Sequence, residues 1–334
     1  MHAPRFDRPR TPSLRSFATL ATLLLLPATA VAQAQWPSRP ITVVNGNAAG
    51  GTPDILVRTL VEELRPAFPQ GIVVVNRTGA NGTIAAESVR RASPDGHTLL
   101  FATMTTMAVN PHLQKDARYH GARDFEPIAT QVLQPLIWAT SKHESFRTLN
   151  DVVEQARKNP GRINASRQGF GASSHLTVAA LTARNQVDFN LIGFTGSSDT
   201  FAALRRGDVQ LMVDLPQSML PRIASGEVVP LAITSAQRIR ALPNLPTWIE
   251  QGVMENELTA WYVYLAPKGT PAAIVTRLNA EINRVLEQPA FRQRLEDVGG
   301  IVRTLSPAQL RTFMEEEHER WGRILRSAEI RPQN

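Results

Sequence analysis

Apolar and polar positions along this chain fall into a repeating rhythm. Short β-rich apolar runs are followed by a glycine- or serine-bearing turn and then by an amphipathic stretch. Ile41–Val44 is the first run. The polar segment Asn45–Gly51 follows, and Thr52-Pro53-Asp54 opens a helix, with threonine suited to the N-cap and proline to the first helical position. Ile72–Val75 is the second run; Gly79-Ala80-Asn81-Gly82 turns it into a helix reaching Arg91, and Ser93-Pro94-Asp95-Gly96 turns back into strand Thr98–Ala102. Further on, helix Leu149–Lys158 starts behind Thr148 and stops at Asn159-Pro160-Gly161. Strand Ile163–Ser166 then meets the loop Gln168–Ser174 and helix His175–Arg184. Phe189–Gly193 leads through Thr195-Gly196-Ser197-Ser198 into helix Asp199–Arg206, and Val209–Val213 and Val229–Thr234 are further strands. A strand–helix alternation of this kind predicts an α/β fold with mostly parallel sheets and flanking helices.

Towards the C-terminus the period becomes helical. Ile274, Leu278 and Ile282 lie at i, i+4 and i+8 in Pro271–Leu286, with Val275 and Val285 beside them. Ser306-Pro307-Ala308-Gln309 is a capping box with proline at N1, and it starts a helix whose Leu310, Phe313, Met314, Glu317, Trp321 and Leu325 fall mostly on one face. The run Glu315-Glu316-Glu317 reads as a solvated face, with Glu317 at its margin.

The first residues follow a different pattern. Arg5, Arg8, Arg10 and Arg15 precede an apolar core, Phe17–Leu26, which Pro27 closes, and two small-x-small sites follow at Ala30-Val31-Ala32 and Ala32-Gln33-Ala34. This reads as a secretory signal, residues 1–34, cleaved after Ala32 or Ala34. The apolar core is too short for a membrane span, which takes about 20 residues. The signal changes the charge picture. The whole chain carries 36 basic and 29 acidic side chains, a net +7; without the four signal arginines and Asp7 the counts are 32 and 28, a net +4. No Lys/Arg block with interleaved aromatics remains, so nucleic acid is not an expected partner. The chain has no cysteine, which excludes disulfides, thiol catalysis and cysteine-held metals.

Catalytic motifs are missing. There is no Gly-x-Ser-x-Gly elbow, Walker A loop or His-Glu-x-x-His, and His318-Glu319 lacks a second histidine. Ser173, His175 and Asp214 can be drawn as a triad, but a serine two residues before a histidine at a helix start is more simply a cap. His112 and His120 have no ligand spacing, and His97 and His143 read as surface or turn residues. Neither catalytic residues, metal nor cofactor are expected. What recurs is a Gly/Ser/Thr loop between an apolar strand and a helix, at 45–54, 167–175 and 193–199. Each could be only a tight βα turn, yet in open α/β sheets ligands bind beyond the carboxyl ends of strands, where such loops sit. A helix start behind a glycine loop presents bare N–H groups to an anion. Thr103 and Thr106 could add a fourth wall, and Asp214 could meet a ligand or cap a helix beginning near Gln217.

The ordered motifs Trp36-Pro37-Ser38-Arg39-Pro40-Ile41, Gly50-Gly51-Thr52-Pro53-Asp54, Asn76-Arg77-Thr78-Gly79-Ala80-Asn81-Gly82, Pro94-Asp95-Gly96-His97, Asn110-Pro111, Gly169-Phe170-Gly171-Ala172-Ser173-Ser174-His175, Gly207-Asp208 and Leu265-Ala266-Pro267-Lys268-Gly269-Thr270-Pro271 run through nearly the whole exported chain. On these the chain resembles the Bug-type extracytoplasmic solute receptors, the binding proteins of tripartite tricarboxylate transporters. The resemblance implies a two-lobed type II periplasmic-binding-protein fold, with one lobe at 35–137 and 262–334, carrying the C-terminal helices, and the other at 138–261. It implies a monomer that binds a small carboxylate through backbone amides and bridging waters, closes on it, and serves membrane transporter subunits without staying inserted in the membrane. A sensor presenting its closed form to a membrane signalling partner is the alternative. Ligand-binding residues carried over are Asn47, Ala48, Gly50, Gly51, Thr52 and Asp54 in the first loop and Gly169, Gly171, Ala172, Ser173 and His175 in the second. Thr195, Gly196 and Ser197 belong to the third, with Thr103, Thr106 and Asp214 beside them. The chain departs from the family's habit at Gly46-Asn47, at Phe194-Thr195 before the shared Gly196, and at Arg167; Asn47 and Thr195 make the expected site more polar and remove one cation.

Overall fold

The computed structural model describes residues 1–3, 36–328 and 330, so the signal segment lies almost wholly outside the described residues. From Trp36 onward the strand–turn–helix rhythm folds into two five-stranded sheets. The first lobe begins with β1 (Ile41–Asn45), α1 (Thr52–Leu64), β2 (Ile72–Asn76), α2 (Thr83–Arg90) and β3 (Thr98–Thr103), followed by a π-type turn at Thr105–Val109 and α3 (Asn110–Leu113). β4 (Phe125–Pro135) stays in the first sheet and β5 (Ile137–Ser141), one residue later, is already in the second. The second sheet continues with α4 (Leu149–Lys158), β6 (Asn164–Gln168), α5 (Ser173–Asn185), β7 (Asn190–Phe194), α6 (Ser197–Arg206), β8 (Leu211–Asp214), α7 (Pro216–Ala224) and β9 (Val228–Ile233). β10 (Thr259–Pro267) returns the chain to the first sheet, and α8 (Ala272–Leu286), α9 (Pro289–Asp297) and α10 (Pro307–Ser327) follow.

The strand orders are β2-β1-β3-β10-β4 and β7-β6-β8-β5-β9. Pairing is parallel within β2-β1-β3 and β7-β6-β8, the strands joined by crossover helices. The crossing strands add the antiparallel half: β10 against β3 and β4, and β5 against β8 and β9. These strands carry no alternation for a sequence reading to detect, because every residue of β5 and β10 is buried.

Local chemistry sets the helix starts. Thr148 with Asp151 and Ser306 with Gln309 form capping boxes at α4 and α10. The α1 start differs from expectation: Gly51 is the N-cap, Thr52 is already helical, and no side chain caps it. α5 likewise begins at Ser173, two residues earlier than its apolar pattern suggests, behind an uncapped Ala172.

One apolar cluster runs through both lobes, joining Val44 and Leu100 with Trp138, Leu176 and Trp261, and α10 adds Leu310 and Trp321 to it. Glu317, on the apolar face of α10 at the margin of the glutamate run, falls on the buried side. Its side chain is buried, accepting hydrogen bonds from the Trp261 indole at 3.0 Å and the Trp321 indole at 3.3 Å, with Arg320 at 2.9 Å. Two buried indole N–H groups need an acceptor, and a carboxylate on the core-facing edge of α10 supplies it. His97 is also buried rather than at the surface, accepting the Ser38 amide at its turn.

Candidate functional site

The first glycine loop is held by a polar clasp. Asp54, buried in the first turn of α1, accepts the Gly50 amide at 2.9 Å and Arg58 Nε at 3.0 Å on one oxygen, and Asn76 Nδ2 at 2.8 Å on the other. Burial alone would raise its pKa; the hydrogen bonds from Arg58, Gly50 and Asn76 outweigh that and bring it down to about 2. Asn45 Oδ1 accepts both the backbone and side-chain nitrogens of Asn47, and Asn76 Nδ2 also reaches the Asn47 carbonyl. The loop is thereby tied to β2 as well as β1.

A second wall comes from the turn at 79–82. Ala80 and Asn81 both have positive φ, 46° and 49°, a conformation that needs outside support. Asn110 Nδ2 donates to the Asn81 carbonyl at 3.0 Å, and the Thr106 hydroxyl donates to it at 3.1 Å. Gly46 packs so closely on this turn that a Cβ there would stand 2.7 Å from the Gly82 Cα. Only glycine fits at that contact.

From the second lobe, Gly169 and Gly171 enter with φ of 61° and 72°. The Gly171 amide donates to His175 Nδ1 at 3.1 Å, and the Gln168 amide donates to Ser174 Oγ at 3.1 Å. Burial, reinforced by Arg167, lowers the His175 pKa to about 4, so its imidazole is a neutral acceptor at ordinary pH. Asp214 is not itself the N-cap of α7: Leu215 is, and Asp214 Oδ1 accepts the Leu215 amide at 2.7 Å. Its Oδ2 accepts Gln168 Nε2 at 2.8 Å and Ser197 Oγ at 2.6 Å, tying the second and third loops together. The Ser173, His175 and Asp214 triad therefore does not assemble. Thr195 donates to Asp199, and Gly196 is the uncapped N-cap of α6.

Between the lobes lies a cleft of about 890 Å³. Asn47, Thr52, Thr103, Gly169, Gly171, Ala172 and Ser173 line it. Ala48, Gly50, Gly51, Asp54, Thr106, His175, Thr195, Gly196, Ser197 and Asp214 are not among its lining residues. Of these, Asp54, Thr106, His175 and Asp214 shape the loops from behind. The sequence reading missed Asn81, Asn110, Leu113, the segment Gln114-Lys115-Asp116, Phe170, Leu215, Ala260 and Tyr262, all of which line the cleft. The Asn-Gly turn at 81–82 signals the first of these; nothing local marks the others. The uncapped starts of α1 and α5 meet at this cleft, so N–H groups from both lobes stand there without side-chain partners.

Comparison with known proteins agrees with this geometry. The sequence model of the tripartite tricarboxylate transporter family receptor matches residues 56–330. The chain belongs to this family. A relative from Pseudomonas sp., a protein of the tcbD–tcbE intergenic region, is 33% identical over 311 residues, covering 92% of each chain. Protein BugT of Bordetella pertussis is 29% identical, covering 87% of this chain and 90% of its own. Among solved structures, an R. palustris protein with adipate superposes with a TM-score of 0.77 at 30% identity, covering 89% of this receptor and all of that chain. The periplasmic binding protein BugD gives 0.74 at 32%, with the same coverage. MatC from Rhodopseudomonas palustris with bound malate gives 0.72 at 31%, covering 86% and 99%. The receptor thus has the two-lobed type II periplasmic-binding fold and is a Bug-type extracytoplasmic solute receptor.

Proposed function

We propose that this receptor is exported to the periplasm, its signal cleaved after Ala32 or Ala34, where it captures a small carboxylate between its lobes and hands it unchanged to the membrane subunits of a tripartite transporter. The lobes are taken as 35–137 with 262–334, and 138–261. The observation that carries this reading is the convergence of two uncapped helix starts, α1 and α5, on one cleft, beside the left-handed glycines 169 and 171. Backbone N–H groups and helix dipoles favour negative charge at such a place. The adipate and malate bound by the two R. palustris relatives support the same ligand class.

Arg167, the cation nearest the second loop, packs over Gly193 and is not among the cleft-lining residues. Backbone, not this guanidinium, is the proposed carrier of recognition. A Cβ at Gly171 would stand 3.3 Å from Leu113 Cδ1 on the opposite lobe and would also disfavour the left-handed backbone. Gly171→Val therefore abolishes carboxylate binding in calorimetry, whereas Arg167→Ala weakens it only slightly. The reverse order of effects would put recognition on a salt bridge. A thermal-shift panel of mono-, di- and tricarboxylates identifies the ligand, since one present at 100 times its Kd stabilises the fold by about 2.7 kcal/mol. No shift with any carboxylate would refute the reading.

A further inference from the structure

The reading of the cleft as a carboxylate site leaves open what the rest of the ligand looks like, and the cleft floor bears on that. Of the chain's three tyrosines, two have their hydroxyls engaged: Tyr119 donates to the Thr106 carbonyl and Tyr264 to Gln131 Oε1, each at 2.8 Å. Tyr262 is the third. It lies in β10 opposite Thr103 of β3, lines the cleft, is only 4% exposed, and stacks on Phe101 with ring centroids 5.9 Å apart. Its hydroxyl hydrogen-bonds to no group among the described residues, although its neighbour Tyr264, on the same strand and face, is satisfied.

A buried orphan stands on the same face of the sheet. Gln134 of β4 is fully buried, and neither its amide nitrogen nor its amide oxygen has a partner. It is registered against Ala260, which itself lines the cleft. Directly opposed residues of an antiparallel pair share a face, and so do residues two apart on one strand, so Gln134, Ala260 and Tyr262 form one patch. Buried polar groups without partners are rare, and each calls for an explanation.

We propose that Tyr262 is a specificity-determining residue that hydrogen-bonds a neutral hydroxyl of the ligand, so that the receptor prefers hydroxylated carboxylates to their unsubstituted parents. This rests on the carboxylate reading above. The patch is uncharged, and a second carboxylate pressed onto it would give up its hydration against neutral groups, which is costly. A hydroxyl, donor and acceptor at once, complements a cleft-lining phenol that is itself donor and acceptor. Burial raises the Tyr262 pKa, so the side chain stays a phenol throughout the working pH range.

The test is calorimetry on matched pairs that differ by one hydroxyl, malate against succinate and 2-hydroxyglutarate against glutarate, with the wild type and Tyr262→Phe. The wild type is expected to favour the hydroxylated member of at least one pair by about tenfold or more, the scale of one hydrogen bond to an otherwise unpaired buried group. Tyr262→Phe lowers that affinity to the parent's, leaves the parent's unchanged, and keeps the ligand-free melting temperature, because the hydroxyl it removes bonds nothing in the fold. Equal wild-type affinities within both pairs, or a preference that survives Tyr262→Phe, would overturn the assignment while the carboxylate reading stands. A natively melting protein that binds none of the four acids, nor any other carboxylate in the thermal-shift panel, overturns both.

Discussion

Asp54 shows how one residue can serve a binding loop without lining the site. Its carboxylate gathers the Gly50 amide, Arg58 and Asn76, so the loop between β1 and α1 is shaped before any ligand arrives. The consequence for pH has a definite sign. The folded-state pKa is about 2, below the roughly 3.9 of an unfolded aspartate, so its contribution to stability is complete above pH 4 and disappears as the pH falls through 2. Asp54→Asn is expected to lower the melting temperature at neutral pH and to flatten its decline between pH 5 and pH 2. Melting curves across that range check it; an acid limb identical to wild type would remove Asp54 from the clasp.

At the scale of elements, α10 does more than close the chain. It packs along β4 and the π-type turn of the first lobe and also against α5 of the second, with Trp321 in the shared apolar cluster. Glu317 is its polar anchor, accepting one indole N–H from β10 and one from its own helix. Glu317→Ala leaves both N–H groups buried and unpaired and leaves Arg320 only the Glu257 carbonyl, so a loss of about 3 kcal/mol is expected in urea unfolding. A loss under 1 kcal/mol would mean that water reaches the indoles. Spacing alone puts Glu317 on the apolar face of α10 but cannot say what it bonds; the two tryptophans that need it come from β10 and from one turn further along.

For the molecule as a whole, the topology frames the motion. The chain passes from the first sheet to the second between Pro135 and Ile137 and returns through the segment ending at Thr259. These two crossings are the expected hinge, since two-lobed binding proteins close by rigid-body rotation. Small-angle scattering is therefore expected to show a smaller radius of gyration with a confirmed ligand than without it. The continuous apolar cluster and α10 join both lobes, so the expected closure slides or bends this region rather than separating it. An unchanged radius at saturating ligand would mean that the cleft binds in its present shape, and the loops alone would have to adapt.

Much of this protein is legible from its residues alone, where the determinants are local. The α/β rhythm, the glycine loops at strand ends, the capping box at Ser306 and the family motifs each depend on residues close together in the chain, and helix and strand periodicity makes them visible. The antiparallel halves of the sheets are not, because β4, β5 and β10 are buried on both faces and have no polar alternation to betray them. The cleft's composition is also a tertiary matter. Tyr262, Ala260 and Leu113 reach it from parts of the chain whose local pattern says only "buried", and Asp214 binds two loops whose spacing from it, 46 and 17 residues, carries no signal. Local sequence decides which backbone groups are left free to bind an anion; the packing of two sheets decides which side chains stand opposite them, since that depends on contacts between residues far apart in the chain.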